Sequence, residues 1–379
     1  MYKKILVTLR TYNDIDHIVP IIWDLLEKGH HLFVFGISNY DFNNDYRIKF
    51  IRKYKNIKIF IPKQENKFYQ ILKYNIFSIL YFLTFNKIDT FLSEWKRPHF
   101  KSLWGQFFYA CKALGILKIA VPHGYNVFLN DDVNIEVSKK INLNSQIFAD
   151  RNEFDYYVLA TDTQRDQAVR LGLSEKKTIS MGSARYSRKW HDVLATIEQS
   201  TPRENINEKV YICFMTPHWT YNVNKTDILH VIEKIGLIKN VVLYVKPHTR
   251  GTGYIDSTIT NKYQSNIKYV TNETSFELIS KTDITIAFGT SIVLEAILQN
   301  KYIIHPSFFH TNKTIFDAED SFYHAKSIDE ILESINFIKI NKPEKNKNSY
   351  NNIIKKFVYN NLNDEPIDNY TRLITKKEK

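Results

Sequence analysis

The strongest constraint on the fold is a repeated alternation of short apolar strands and amphipathic helices along the 379-residue chain. Residues 4–9 predict a first strand, and residues 14–28 predict a helix whose apolar side chains recur with helical spacing. Gly29 is placed to end that helix, and a second strand is predicted at residues 31–37. Further strands are predicted at residues 57–61, 88–92, 116–121, 155–160 and 178–181. This alternation is typical of an α/β protein with a doubly wound parallel sheet.

A polar segment at residues 197–209 divides the alternation into two sets. The segment contains Pro202, and a new strand is predicted directly after it, at residues 210–215. We therefore expect two Rossmann-like domains, residues 1–196 and 210–345, joined by residues 197–209 as a linker. The remaining segment, residues 346–379, is predicted to contain a final helix at residues 352–362 and a tail.

Charge and cysteine content narrow the class of protein. The net charge of +12 favours an anionic partner such as a nucleotide sugar, phospholipid head groups or nucleic acid. No long Arg-rich tract or nucleic-acid-binding motif is present, so we do not expect nucleic acid. Cys111 and Cys213 lie far apart in apolar settings and are expected to be reduced core residues of a cytosolic protein.

The most apolar segment, residues 69–85, bears on membrane contact. Four polar residues interrupt it, and it is too short and too polar for a spanning helix. A buried helix is expected, and a helix lying on anionic lipid at the inner face of the cytoplasmic membrane is the alternative. No signal peptide precedes the first strand, so a cytoplasmic location is expected.

One strand end in the second half combines groups that favour anion binding. A buried strand is predicted at residues 284–287, followed by a turn at Phe288-Gly289 and a helix that opens at Thr290-Ser291. Thr290 or Ser291 can cap the helix, and glycine lets a ligand approach the backbone. Free N–H groups and the positive end of the helix dipole suit a phosphate. An ordinary capped helix is the alternative interpretation.

A second strand end, upstream of the first, carries cations. The apolar residues 241–245 lead into Lys246-Pro-His248. In an open parallel sheet ligands bind beyond the carboxyl ends of the strands, so Lys246 and His248 are expected to face the same crevice as Thr290 and Ser291. We interpret these residues as a phosphate site.

One further strand end and one helical carboxylate are predicted to contact the nucleoside part of the ligand. The strand at residues 210–215 ends in Thr216-Pro-His218-Trp219, which places Thr216 and His218 among the expected nucleotide contacts. Glu295 lies four residues after Ser291, about one helical turn along, and can reach a ribose hydroxyl pair. A carboxylate on the helix surface is the alternative for Glu295.

Glu94 is the predicted catalytic carboxylate of the first half. No Gly-x-Gly-x-x-Gly motif follows the first strand, so the first domain is not expected to bind NAD. It ends the fourth strand and is followed by Trp95, Lys96, Arg97 and His99. These cations are expected to keep Glu94 ionised, which suits a general base or a nucleophile. Trp95 and Arg97 are candidates for substrate contact. A surface ion pair is the alternative for Glu94.

Two other strand ends of the first half supply further candidates. His123 precedes Gly124 after the fifth strand and is predicted to act in catalysis. Ser183 and Arg185 follow the seventh strand and are predicted to bind substrate, Arg185 as a bidentate fork on a carboxylate. A salt bridge within a loop is the alternative for Arg185.

The order of these motifs resembles that of the bacterial GT-B transferases that build capsule and surface polysaccharides. These include the Kdo and sialic-acid transferases, which use CMP-activated sugars, and more distantly the CDP-glycerol glycerophosphotransferases. The resemblance spans about residues 85–305. Its motifs are Pro122-His123-Gly124, Gly182-Ser-Ala-Arg185-Tyr-Ser, Lys246-Pro-His248 and Gly289-Thr-Ser291 followed by Glu295.

The resemblance implies a GT-B fold, in which two Rossmann-like domains face one cleft. The second domain would hold the nucleotide, the first the acceptor, and the C-terminal segment would pack back across the domain junction. The implied reaction transfers a CMP-linked acidic sugar, such as Kdo, to a surface glycan or a lipid-linked glycan. It needs no metal or other cofactor, because Lys246, His248, Thr290 and Ser291 take the place of a metal at the phosphate.

Three alternatives stay open at this point. A transferase of glycerol phosphate or ribitol phosphate from a CDP-alditol would use the same phosphate site. A UDP-sugar epimerase shares the two-domain architecture. A basic, membrane-docked scaffold for capsule assembly would need no phosphate motifs at all.

Overall fold

The computed structural model describes residues 2–62, 75–122, 124–198, 209–248 and 266–376. The chain divides into two compact units. The first consists of Met1–Tyr125, Ser145–Val193 and Lys355–Lys379, and the second of Asn126–Asn144 and Leu194–Ile354. Most of the predicted linker, namely residues 199–208, lies outside the described residues.

The first unit is built on a sheet in which every strand pairing is parallel. Its strands, within the described residues, are β1 Lys4–Leu9, β2 His31–Gly36, β3 Ile57–Phe60, β4 Thr90–Glu94, β5 Leu117–Val121, β6 Tyr156–Leu159 and β7 Thr178–Ser180. Their order is β3-β2-β1-β4-β5-β6-β7. This is a doubly wound order, so the fold predicted from the alternation is confirmed.

The second unit repeats this plan. Its strands, within the described residues, are β8 Val210–Met215, β9 Val241–Lys246, β10 Ile267–Tyr269, β11 Ile284–Ile286, β12 Tyr302–Pro306 and β13 Tyr323–Ala325. All of them pair in parallel, in the order β10-β9-β8-β11-β12-β13. The carboxyl ends of β9, β8, β11 and β12 are therefore neighbours along one edge of the sheet.

Helices connect the strands of both sheets. Within the described residues they are α1 Tyr12–Glu27, α2 Tyr46–Ile51, α3 Ile76–Asn86, α4 Leu103–Ala113, α5 Ile135–Leu143, α6 Asp162–Arg170, α7 Arg188–Ile197, α8 Lys225–Gly236, α9 Ser275–Ser280, α10 Ile292–Leu298, α11 Ile328–Asn341, α12 Lys347–Ile353 and α13 Pro366–Thr375.

The core of the first unit is dominated by aromatic rings. Phe35 of β2 stacks on Phe60 of β3, with ring centroids 4.5 Å apart, and contacts Phe107 of α4 at 4.8 Å. It also meets Phe82 of α3 edge to face at 5.6 Å. Offset and edge-to-face pairs add about 0.5–1.5 kcal/mol each beyond the burial of their area. These contacts fix α3 and α4 on one face of the sheet.

Helix α1 places the chain at the carboxyl end of β1. The Asp14 carboxylate accepts hydrogen bonds from the backbone N–H groups of Arg10 and Thr11, at 2.7 and 3.2 Å. This capping interaction starts the helix at Tyr12, two residues before the predicted start. Gly29, with φ 80°, ends the helix as predicted.

The predicted final helix, residues 352–362, is wrong in its bounds. Helix α12 ends at Ile353 and continues as a π-helical turn, Ile354–Val358. Asn360 and Asn361 then adopt positive φ angles of 51° and 57°, which stop the helix. The true last helix, α13, lies in the predicted tail and begins with Pro366, which suits the first helical position.

Helix α13 packs against α1 within the first unit. The Thr371 hydroxyl donates to the buried Asp24 carboxylate of α1 at 2.5 Å, and the Thr90 hydroxyl of β4 donates to the Ile374 carbonyl at 3.3 Å. Lys28 and Lys189 neutralise Asp24, at 2.6 and 3.4 Å. The C-terminal helix is therefore an integral layer of the first unit.

Helix α3 departs from the expected buried helix at residues 69–85, of which residues 69–74 lie outside the described residues. Its outward side chains are Phe77, Tyr81 and Phe85, which are 76%, 68% and 70% exposed. The four-residue spacing of these rings puts them on one side of the helix, so only the opposite side reaches the core. Across the described chain, no helix is both long enough and apolar enough to cross a membrane.

The two cysteines lie in the two cores. Cys111 of α4 and Cys213 of β8 are both free and buried, as predicted. Burial raises the pKa of each thiol well above its ordinary value.

Candidate functional site

The carboxyl ends of β8 and β9 lie side by side and carry several predicted nucleotide contacts. The two strands pair from Val210 and Val241 to Met215 and Lys246. The N–H and the hydroxyl of Thr216 both donate to the Lys246 carbonyl, at 3.0 and 3.3 Å. Thr216 therefore joins the two strand ends at the edge where an open sheet binds ligands.

Two imidazole rings meet just beyond these strand ends. The centroids of His218 and His248 are 5.3 Å apart, with the rings nearly perpendicular at 83°. His218 also stacks on Tyr221 at 5.0 Å, and its Nδ1 lies 2.7 Å from the Thr220 hydroxyl. The structure thus brings together two histidines that the sequence places 30 residues apart. Imidazole N–H groups here can donate charge-assisted hydrogen bonds to a phosphate.

Lys246 points into the protein. It is 7% exposed, and its Nζ donates to the backbone carbonyl of Glu273. Burial lowers the pKa of Lys246, against the opposing effect of nearby groups that include the Glu273 carboxylate. This hydrogen bond uses one of the three N–H donors of the ammonium group, and a direct contact of Lys246 with phosphate stays a prediction.

The turn after β11 has the predicted glycine but not the predicted cap. Gly289 has φ 55°, and a Cβ there would lie 3.2 Å from Cε1 of Phe128, so both the angle and the space favour glycine. Ser291 occupies the cap position in a helical conformation, and its side chain makes no capping hydrogen bond. Instead, the Thr290 hydroxyl accepts from the N–H of Ile292 at 3.4 Å. Residues 289–291 are half-buried and remain accessible from solvent.

Glu295 lies in α10 and is not a surface carboxylate. It is 7% exposed, which excludes the alternative interpretation of a solvated helix face. Its role as a ribose contact stays a prediction.

Three rings at this edge, those of Phe128, Tyr221 and His310, were not predicted from the sequence. Phe128 lies against Gly289 and meets Tyr221 at 5.7 Å, while His310 stacks on Phe288 at 5.5 Å with an interplanar angle of 11°. His310 is 7% exposed, and burial lowers its pKa, so its ring is held neutral. These rings extend the edge from the two histidines to the Gly289 turn.

Phe128 reaches the second unit through a segment that the sequence analysis assigned to the first domain. Phe128 and Thr314 form an antiparallel bridge, and the Leu129 N–H donates to the Lys313 carbonyl at 2.8 Å. The Ile315 N–H donates to the Val127 carbonyl at 3.0 Å. Residues 126–144 are therefore part of the second unit.

At the carboxyl edge of the first sheet, Glu94 forms a buried ion pair with Arg10. Glu94 is 4% exposed and contacts Nη2 of Arg10, which directly follows β1. Because β1 and β4 are paired neighbours, their last residues meet. Glu94 is therefore in an ion pair, as the alternative interpretation had it, although its carboxylate is buried and the Arg10 side chain is 31% exposed. Arg10, which was not among the predicted residues, supplies the counter-charge.

Of the cations predicted around Glu94, Lys96 interacts electrostatically with it, whereas Arg97 has another partner. Arg97 is exposed and lies 3.4 Å from Asp150, and the Lys96 ammonium lies 5.9 Å from the centroid of the Trp104 ring. Trp95 packs against Phe148, with centroids 4.9 Å apart. These positions leave Trp95 and Arg97 near the surface of the first unit, where substrate contact stays a prediction.

The motif that contains Ser183 and Arg185 has a structural role. Gly182 has φ 81°, and a Cβ there would lie 2.6 Å from the Val358 carbonyl oxygen. The Ser183 N–H donates to the same carbonyl at 2.7 Å. The motif therefore packs against the C-terminal segment. No signal in the sequence had indicated this contact. Ser183 is buried, so its proposed contact with substrate stays a prediction.

Arg185 has a carboxylate partner in its own unit. Its Nη1 lies 3.0 Å from Asp16 of α1, and Asp16 also pairs with the buried Arg47. Arg47 is in turn held by Asp45 at 2.6 Å. A substrate carboxylate would have to compete with Asp16, and that function of Arg185 stays a prediction.

The remaining predictions concern the catalytic residue His123 and metal binding. His123 is not among the described residues, although Pro122 and Gly124 on either side of it are. Among the described residues, no group of three or more His, Cys, Asp or Glu side chains is arranged to hold a metal ion.

The arrangement of strands and helices matches solved structures over the whole chain. A glycosyltransferase from Rickettsia africae ESF-5 superposes with a TM-score of 0.59 at 13% identity, covering 100% of both chains. Anabaena HepE, solved with UDP and glucose, gives 0.61 at 8% identity over 98% of each chain. The UDP-GlcNAc 2-epimerase from Neisseria meningitidis, bound to UDP-GlcNAc, gives 0.59 at 14% identity over 98% of each chain.

The chain therefore has the GT-B fold, as the sequence resemblance implied. The similar structures include both transferases and epimerases, so the fold by itself does not choose between these activities. No protein-family model matches the sequence, and no curated protein matches it.

Proposed function

We propose that this protein is an enzyme that acts on a nucleotide-activated sugar and binds the nucleotide at the carboxyl edge of its second sheet. The observation that carries the proposal is the pair His218 and His248 at the adjacent ends of β8 and β9. The accessible turn at residues 289–291 follows β11, the other neighbour of β8. In a doubly wound sheet, this edge is where nucleotides bind.

The proposed contacts divide by chemistry. His248, His218 and the turn at residues 289–291 hold the phosphates through N–H and hydroxyl donors. The ring of Tyr221, which is half-buried at the same edge, is proposed to contact the pyrimidine base. Glu295 accepts from the ribose hydroxyls. Lys246, with Thr216, stabilises the strand ends and contributes positive charge.

The donor is proposed to carry a pyrimidine nucleotide. The motif resemblance favours CMP linked to an acidic sugar such as Kdo, transferred to a capsule or surface glycan. Two of the similar structures were solved with UDP or UDP-GlcNAc, which supports UDP-linked sugars as the competing donors. Transfer from a CDP-alditol is the third possibility, and titration with CMP, CDP and UDP separates it from the others.

Glycosyl transfer and 2-epimerisation are the two candidate reactions. A transferase needs a base or nucleophile near the anomeric carbon, and we propose Glu94 or His123 for that role. An epimerase must instead remove and return a proton on the sugar ring. The 2-epimerase with 98% coverage of both chains supports this second candidate.

Neither candidate reaction is proposed to use a metal ion, because imidazoles and backbone N–H groups supply the positive field at the phosphate. We place the reaction in the cytoplasm. Contact with an anionic membrane is a separate proposal that rests on a different surface.

Nucleotide binding is tested by calorimetric titration of the full chain with UMP, UDP, CMP, CDP and GDP. His248→Ala and Ser291→Ala are each expected to weaken the best nucleotide about ten- to hundredfold, since a charge-assisted contact is worth about 1.5–3 kcal/mol. His230→Ala is the matched control, because His230 lies exposed on α8. Equal affinities in wild type, His248→Ala and Ser291→Ala would overturn the site. No binding of any nucleotide would favour the scaffold alternative.

The two reactions are separated by proton NMR in D2O. An epimerase incubated with UDP-GlcNAc alone will form a second UDP-sugar and place deuterium at C2. A transferase will leave the sugar ring protonated and release nucleotide only when an acceptor is added. Deuterium at C2 in the absence of acceptor would therefore exclude simple transfer.

A further inference from the structure

Helix α3 presents an aromatic surface that the proposed function does not use. Phe77, Tyr81 and Phe85 are 76%, 68% and 70% exposed and follow one another at intervals of four residues. The rings of Tyr81 and Phe85 are stacked, with centroids 5.6 Å apart. Exposed aromatic residues scattered singly are common, but three on one helical face form a continuous apolar patch.

The core holds the opposite side of α3 firmly. Phe82, 6% exposed, meets Phe33 and Phe35 edge to face, with centroids 5.5 and 5.6 Å apart. The helix therefore cannot rotate to bury its outer rings without losing these contacts. The aromatic face is a fixed feature of the first unit.

The described charged residues that flank this face are lysines. Helix α3 itself contains no charged residue. Lys58 of the edge strand β3 lies beside the helix, because its ammonium is 5.7 Å from the ring of Phe33, on which Phe82 packs. Lys87 directly follows the helix, and both lysines are exposed. Asp89, the next acidic residue along the chain, is paired with Lys3 at 3.6 Å.

We propose that the face formed by Phe77, Tyr81 and Phe85 docks the protein on an anionic membrane surface. Apolar rings bounded by lysines match a lipid interface, where the rings enter the head-group region and the ammonium groups meet lipid phosphates. The helix has eleven residues and is about 16 Å long, which suits a position in the plane of the interface. A second copy of this chain is a poorer partner, because like charges would face each other.

The proposal does not depend on the nucleotide-binding edge, which belongs to the second unit. A loss of nucleotide binding would leave the membrane surface unaffected. The converse also holds, so the two proposals fail separately.

The test is co-sedimentation of the full chain with phosphatidylcholine vesicles, with and without 30% phosphatidylglycerol. Wild type is expected to bind the anionic vesicles and to lose binding as the salt concentration rises, because screening weakens the lysine contacts. The triple variant Phe77→Ser/Tyr81→Ser/Phe85→Ser is expected to lower the partition coefficient at least about tenfold, since each ring removed takes apolar area from the interface. Circular dichroism confirms that the variant is folded.

Two further variants complete the test. Phe337→Ser/Ile340→Ser on α11 is the matched control, because these side chains are 48% and 77% exposed and belong to the second unit, and it is expected to bind like wild type. Lys58→Glu/Lys87→Glu keeps the aromatic face and is expected to weaken binding to anionic vesicles only. Absence of binding by wild type, or equal binding by the triple variant, would overturn the proposal. A wild-type dimer that the triple variant converts to a monomer without lipid would identify a protein interface instead.

Discussion

The buried imidazole of His305 leads to a quantitative prediction about stability and pH. His305 lies in β12 and is 0% exposed, and neither of its ring nitrogens has a hydrogen-bond partner among the described residues. The nearest carboxylate oxygen, in Asp317, is 3.8 Å from Nε2. Burial, the largest cause, lowers the pKa of His305 from 6.5 to about 4, although Asp317 opposes the change. The folded protein therefore keeps this ring neutral at pH values where the unfolded chain protonates it.

The sign and size of the effect follow from the two pKa values. Above pH 6.5 both states hold a neutral ring, so this group leaves stability independent of pH. As the pH falls from 6.5 toward 4, the unfolded state gains a proton that the folded state does not, and stability is lost. At about 1.36 kcal/mol per pKa unit, the loss between pH 7 and pH 5 is about 2 kcal/mol.

The variant His305→Leu removes the titrating group and keeps an apolar side chain in the core. Urea unfolding of wild type and variant at pH 7 and pH 5 gives four free energies of unfolding. The wild-type loss between the two pH values is expected to exceed the loss in the variant by about 2 kcal/mol. His230→Leu, at an exposed position of α8, is the control and is expected to follow wild type. Equal losses in wild type and His305→Leu would refute the neutral buried ring.

Three other predictions concern catalysis, metal dependence and a glycine. Glu94→Gln is expected to bind donor normally and to lower the single-turnover rate at least about a hundredfold, whereas a larger loss in His123→Ala would identify the histidine as the base. Wild-type activity is expected to survive EDTA, and a loss that Mg²⁺ reverses would contradict the proposed phosphate chemistry. Gly182→Ala is expected to cost about 1–3 kcal/mol in urea unfolding, because φ is 81° and the added Cβ would meet Val358. The control Gly124→Ala meets no atom within 4 Å and is expected to keep its stability.

Most of the strands could be predicted from sequence because they are short apolar runs bounded by polar residues. The three-residue strands β10 and β13 lack such a run and were not predicted. The same runs fix where the strands end, so Thr216, His218 and His248 were placed at one edge before their distances were known. The partner of Glu94 was missed although the information was available. Once β1 and β4 are neighbours, the residue after β1 belongs beside the end of β4, and that residue is Arg10.

Residues 126–134 could not be placed from the sequence. They carry neither helical nor strand periodicity, and their partners lie about 180 residues away, at residues 312–315. The bridge between Phe128 and Thr314 is a single pair, too short to leave a pattern in the chain. This bridge nevertheless holds Phe128 against Gly289. A segment that could not be predicted therefore supplies a ring to the edge that was predicted from the strand ends.

The comparison of two glycines shows what a strand-end motif can and cannot indicate. Gly182 and Gly289 each follow a strand, and both have positive φ angles, of 81° and 55°. Both therefore mark a close approach to the backbone, which is all that the residue type itself encodes. At Gly182 the approaching atoms are the Val358 carbonyl and the Pro366 ring, and the site is buried under the chain's own C-terminal segment. At Gly289 the approaching atoms are the edge of one aromatic side chain, and residues 289–291 stay half-buried. Of the two turns, the Gly289 turn is therefore the one that stays open to a ligand, as the proposed phosphate site requires.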